Sequence, residues 1–169
     1  MTIHALENGS WGLETNCFVC EPANTGGLRV PFFHDDETDV VFADFTLDTT
    51  FSGAPNYVHG GVTLALLDEC AAWATIAISQ QFAVTHHLAT TFDRPIKINT
   101  AYRVEARVGE RVDDRIHTTA EIRDVARQKV RARSTAEFVV LGRAQLIDAM
   151  GSDQTIPSPT ARLEGNAGA

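Results

Sequence analysis

Val62-Thr-Leu-Ala-Leu-Leu-Asp-Glu-Cys-Ala-Ala-Trp-Ala-Thr-Ile-Ala-Ile-Ser79 is the stretch whose reading decides the fold. It holds five alanines and neither Gly nor Pro, and it is too long for an ordinary strand, so a helix from about Gly61 to Ser79 is expected. Its apolar residues are not confined to one stripe. A helix apolar nearly all round has to be buried on most of its faces. Only Asp68 and Glu69 carry charge, and they sit next to each other in its middle.

Downstream of Phe82 the period changes to two. Val84, His86, Leu88, Thr90 and Phe92 alternate with Thr85, His87, Ala89, Thr91 and Asp93. Tyr102 to Val108, Ile116 to Ile122 and Val130 to Phe138 alternate in the same way, apolar against charged or polar, as strands of an antiparallel sheet with one wet face do. The 109–114 and 124–128 connections are short enough for hairpins. Upstream, Gly27 to Phe33 and Asp39 to Leu47 read as two more strands joined through His34-Asp35-Asp36-Glu37. Phe51 to Gly61 is a loop dense in turn residues. A sheet of this size beside one all-apolar helix buries both only by curling around it. The expectation is an α+β hotdog fold, a curved antiparallel sheet wrapped around a long central helix. Three parts are expected: an N-terminal segment 1–27 with a short helix before Gly12 and a loop, the hotdog domain 28–142, and a partly flexible tail 143–169 that opens with a helical turn from Ala144 to Met150.

Composition narrows the function classes. With 44% apolar and 21% charged residues the chain is an ordinary globular protein. A net charge of −8 argues against nucleic acid or an anionic membrane as partner, while leaving room for a local basic patch that holds an anionic ligand. The three cysteines, Cys17, Cys20 and Cys70, do not form a disulfide framework. Cys17-x-x-Cys20 is spaced like half of a zinc site, but no second Cys or His pair at metal spacing accompanies it, so neither metal nor cofactor is expected. The N-terminus shows no basic-then-apolar leader and no apolar run has membrane-spanning length; the expected location is the cytoplasm.

Two polar features interrupt the apolar helix. His59-Gly60-Gly61 stands at its start, where backbone amides lack internal partners and face the positive end of the dipole, a setting that suits an oxyanion. By itself such a turn also serves as a plain glycine start to a helix. Asp68-Glu69 is the second feature. Burying an unpaired carboxylate is costly, so one of the two is expected to face a cleft; a solvated edge or a structural ion pair is the other reading. Gly60 and Asp68 are eight residues apart, or ~12 Å along a helix axis. An oxyanion donor and a base must both lie within ~3 Å of the reacting atoms. One helix does not supply both, whereas antiparallel helices of two protomers do. A homodimer, or a homotetramer built as a dimer of dimers, with sites shared between protomers is therefore expected.

Val58-His59-Gly60-Gly61-Val62-x-x-Ala65-Leu66-Leu67-Asp68-Glu69 resembles the helix-start motif of the hotdog acyl-CoA thioesterases of the phenylacetate-degradation type. Asn16-Cys17-Phe18-Val19-Cys20 with Gly27-Leu28 is similar to the leader of longer members, and Phe92-x-Arg94-Pro95 to the end of the strand after the helix. The resemblance spans roughly residues 16–141. It implies that the Gly60 amide donates to the thioester oxygen and that Asp68 acts as general base on water or as nucleophile. It further implies that Thr85 positions the water, and that His59 holds the turn or contacts the thioester. Gly61, Asn56, Glu69, His86, Arg94 and Lys97 are the substrate-binding candidates. Gly53 departs from the pattern, standing where some members have Asn, with Asn56 as a loose substitute. His86 and His87 flank Thr85. Arg94 and Lys97, with Lys129, Arg131 and Arg133 on the last strand, are the cations available to CoA phosphates. Trp73, Phe82 and Phe92 are the aromatic candidates for shaping the acyl pocket. Hydrolysis of acyl-CoA to free acid and CoA is the activity implied. The alternatives are a hotdog hydratase or dehydratase using His59 with Glu69, and a non-catalytic acyl-CoA sensor that dispenses with Asp68.

Overall fold

The computed structural model describes residues 2–11 and 15–151. The central helix, α1, spans Gly60–Ala77. Leu66, Leu67, Cys70, Ala71 and Ala74 lose their whole surface to the core. Burying one leucine stabilises by about 1.5–3 kcal/mol, while an interior Asp costs a helix no more than about 0.7 kcal/mol. Burial wins, and the helix runs straight through Asp68-Glu69.

Around it lie seven strands: β1 (Ile3–Leu6), β2 (Phe32–Asp35), β3 (Val40–Phe45), β6 (Ala83–Phe92), β7 (Tyr102–Val112), β8 (Arg115–Asp124) and β9 (Val130–Val140). A separate ribbon of β4 (Ser52–Ala54) and β5 (Tyr57–Val58) immediately precedes the helix. The sheet order is β1-β2-β3-β7-β8-β9-β6, antiparallel throughout. Helix α1 packs against β2, β3, β6, β7, β8 and β9. This is the hotdog fold. Tyr102, Val104, Ala106, Ile116, Thr118, Ala120, Ile122, Ala132, Ser134, Ala136 and Phe138 face inward on the parity expected, and all are buried. Among the described residues no helix is long and apolar enough to cross a membrane.

Several boundaries differ from expectation. Ile3–Leu6 forms an edge strand on β2, so the N-terminal segment contributes to the sheet; four residues are too short for a periodic signal. The short helix before Gly12 is a 3-10 turn, Asn8–Trp11. Leu28 and Val30 precede the strand and donate their N–H groups to the carbonyls of Phe18 and Val19. Pro31, which has no N–H, separates them from β2. The β2–β3 turn falls at residues 36–39 with Asp39 at φ 49°, so His34 and Asp35 stay in the strand. Residues 109–112 belong to β7 behind a register shift, and the turn is Asp113-Asp114 alone. A last helix, α2, covers Arg143–Met150. The rest of the expected flexible tail, 152–169, lies outside the described residues, as do residues 12–14 of the leader.

Candidate active site at the start of the central helix

His59 caps α1. Its backbone is extended, its carbonyl accepts the N–H groups of Val62 and Thr63 at 3.0 and 3.1 Å, and its Nδ1 accepts the Gly61 N–H at 2.9 Å. A Cβ on Gly61 would stand 3.0 Å from that Nδ1, so glycine is what lets the imidazole fold back onto the turn. Gly53 presses on His59 from the other side, where a Cβ would lie 3.0 Å from its Cα. A side chain at this position would require His59 to shift by a few tenths of an ångström. Asn56 does not take that place either; it lies with Tyr57, Lys97, Ile98 and Asn99 around a separate surface cavity of about 320 Å³.

Gly60 is the first helical residue, and its N–H has no intrahelical acceptor available. Among the described residues no other group accepts it. Gly60 is exposed, and the nearest foreign atom to a Cβ built on it is the Phe92 ring, at 3.9 Å.

Asp68, two turns further on, accepts a 2.7 Å hydrogen bond from Thr85 Oγ1. The sequence pattern places Thr85 on the face opposite Leu88, Thr90 and Phe92, and the structure corrects this. Thr85 pairs with Phe138 and Leu88 with Ala136, both inward-facing positions, while the register slips between Thr85 and His87. The extra residue, His86, forms a β-bulge that shifts the strand's phase by one. Without it Thr85 would point away from the helix. His86 itself turns towards Glu137, with Nε2 3.8 Å from Oε1, and His87 lines an outer-face groove with His117. Neither histidine joins Asp68.

Strand β6 therefore runs beside α1 with Thr85 at Asp68 and Phe92 at Gly60. It is also the last strand of the sheet, one edge unpaired, and its Val84 and Phe92 are 47% and 51% exposed. Trp73 and Phe82, the other aromatic candidates, are core residues. Arg94 and Lys97 are exposed beyond the end of β6 and, among the described residues, hold no ion pair. Arg131 is not a free surface cation: its guanidinium, largely buried, binds Asp124 at 2.7 Å and lies over the Tyr102 ring. Arg133 binds Asp93 at 2.7 Å.

Glu69 faces a different neighbour. Its Oε1 is 3.3 Å from Cys17 Sγ. Burial raises the Glu69 carboxyl to about 7, helped by the adjacent sulfur. Cys17 is held down to about 5 by a hydrogen bond from Cys20 and by the amides of Cys20 and Val19, and Cys20 is pushed up in return. The Cys-x-x-Cys spacing is visible in the sequence; its third neighbour, 52 residues away, is not.

Residues 55–130 match the family model described as the thioesterase superfamily. A crystal structure of a thioesterase superfamily protein superposes with a TM-score of 0.69 at 24% identity, covering 77% of this chain and 64% of that one. The aligned part thus spans less than two thirds of that protein. A phenylacetic acid degradation-related protein from Ralstonia eutropha JMP134 matches at 25% identity and TM-score 0.60, covering 70% of this chain and 90% of its own. The acyl-CoA hydrolase of Staphylococcus aureus, solved with butyryl coenzyme A, matches at 20% identity and TM-score 0.59 over 64% of this chain and 67% of that one. No curated protein sequence matches the chain.

Proposed function

On the premise that residues 55–130 belong to the thioesterase superfamily, we propose that this chain hydrolyses acyl-CoA thioesters to free acid and CoA. The observation that carries the reading is the 2.7 Å Thr85–Asp68 hydrogen bond, on a helix whose N-terminus is open. Asp68 accepts from a hydroxyl that also has lone pairs of its own, so a water held by Thr85 stands next to the carboxylate that would take its proton. Acting as nucleophile instead, Asp68 would form an anhydride that water then opens. The Gly60 N–H, at the positive end of α1, is the donor for the thioester oxygen as it gains charge. Kinship in fold with an acyl-CoA hydrolase supports the substrate class. The hydratase reading has less support: the Glu69 carboxylate is already engaged by Cys17, whose Sγ lies 3.3 Å from its Oε1.

The two groups belong to one site only across a dimer. An unpaired β6 edge carrying exposed apolar side chains is a surface that proteins cover. Two β6 edges paired antiparallel about a two-fold near Leu88 set Thr85 of one chain opposite Phe92 of the other. Because Thr85 marks Asp68 and Phe92 marks Gly60, that pairing carries each Gly60 towards the partner's Asp68. Arg94 and Lys97 then flank the mouth of the shared site, where CoA phosphates need cations.

The experiment is thiol release from saturated acyl-CoAs of graded length, a substrate on which a dehydratase has no work to do. Release from at least one of them is expected; release from none overturns hydrolysis. The shared site is tested by mixing Asp68→Asn with Gly60→Pro, each inactive alone. Proline is well tolerated as first helical residue and removes the amide. Subunit exchange restores activity, because each heterodimer holds one intact site. No recovery after proven exchange means that each site is built within one chain.

A further inference from the structure

We propose that Cys17, Cys20 and Glu69 form a binding site for a zinc-class divalent cation, which clamps the N-terminal loop onto the central helix one residue from Asp68. Cys17 Sγ, Cys20 Sγ and a Glu69 carboxylate oxygen all lie within 4.8 Å of one another. Bonds of about 2.3 Å in a tetrahedron place ligand atoms about 3.8 Å apart, so metal entry needs shifts of only about 1 Å. Two thiolates and one carboxylate suit zinc better than calcium or magnesium, which prefer an all-oxygen set.

The surroundings are built for such an ion. Val19 and Cys20 N–H groups point at Cys17 Sγ from 3.3 and 3.5 Å, and Asn8 Nδ2 donates to Cys20 Sγ at 3.3 Å. Amides converging on sulfur hold a thiolate in place and orient it. The loop behind them is tightly folded. Asn24 Nδ2 donates to the carbonyls of Asn16 and Cys17 at 3.1 and 3.3 Å, and Leu28 N–H donates to Phe18 at 2.8 Å. At Gly27 a Cβ would stand 2.4 Å from the Phe18 carbonyl oxygen, so only glycine allows the loop to close. What the cluster lacks is positive charge. Among the described residues no Lys, Arg or His pairs with Glu69, and the one other charged residue of the helix, Asp68, is a carboxylate too. A divalent cation supplies that charge; water takes the fourth position, on the open side where Cys17 and Glu69 are only half-buried.

This assignment does not depend on Asp68 being the base, and its test does not use turnover. The tag-free chain, reduced and stripped of metal with a chelator, is titrated with Zn2+ against a chromophoric competitor and, separately, with Co2+. One equivalent of Zn2+ is expected, with a rise in Tm as the ion binds the folded state. Co2+ on the unaltered chain should show a thiolate-to-metal charge-transfer band and the visible absorption of a tetrahedral ion. Cys17→Ser and Cys20→Ser should each remove the band. Glu69→Gln should weaken Zn2+ by more than the ~10–100-fold that losing an outer-shell partner costs. Three results overturn the proposal: no stoichiometric Zn2+ and no Co2+ band on the unaltered chain; binding that survives Cys17→Ser in a variant with unchanged circular dichroism; or a Cys17–Cys20 disulfide forming in place of metal uptake by the reduced chain.

Discussion

Asp68 and Glu69 are neighbours on one helix with the same charge, yet they look out on opposite kinds of surroundings. Asp68 meets the hydroxyl of Thr85, on an edge strand that is open on its far side. Glu69 meets two sulfurs on a loop tied down by Asn24 and Gly27. One step of about 100° around the helix separates them. The difference shows how a helix buried on most faces hosts polar chemistry: each carboxylate is tolerated only where another element brings a specific partner to it. The open partner suits a reaction; the closed one suits a fixed ion.

The largest effect that distinguishes the two sides is expected from Asp68→Asn. Loss of a general base costs about 10²–10⁴-fold in turnover, while Zn2+ uptake at the Glu69 side should stay at one equivalent. Acyl-CoA hydrolysis by the variant at half the normal rate would move the base elsewhere. Next comes Thr85→Val, which keeps the shape and removes the hydroxyl. A hydrogen bond to a charged group is worth about 1.5–3 kcal/mol, so kcat should fall roughly 10–100-fold with little change in KM. A rise in KM at constant kcat would make Thr85 a substrate contact instead.

On the other side, Gly27→Ala touches no candidate ligand but drives a methyl against the Phe18 carbonyl. It should lower Zn2+ affinity and Tm, and change kcat less than Thr85→Val does; unchanged affinity would show that the loop does not set the site. The smallest effect calibrates the comparison with a carboxylate that belongs to neither side. Asp124 is held below the usual carboxylate range by Arg131, then by the amides of Arg127 and Ala126. A depressed value means stability that is present above the ordinary carboxylate range and lost as pH falls through the depressed one. Asp124→Asn should therefore lower Tm at neutral pH and flatten its decline in acid. An unchanged acid slope would assign that decline to other carboxylates.

Much of this was legible in the chain itself. The Val62–Ser79 run, the alternation of β7, β8 and β9, and the Gly60 and Asp68 positions are local patterns, and local patterns survive folding where burial is worth more than any competing preference. The fold class follows from them, because an all-apolar helix beside half-polar strands has few ways to be covered. What tertiary structure decided were the pairings between distant segments. The bulge at His86, which turns Thr85 towards Asp68, arises from register with β9, some fifty residues downstream. Exposure of β6 follows from its place at the end of the strand order, which no period reveals. The meeting of Glu69 with Cys17 depends on where a loop lands on the helix. Residue type and spacing state what a side chain is able to do; which atoms come within 3 Å of it is a property of the closed chain alone.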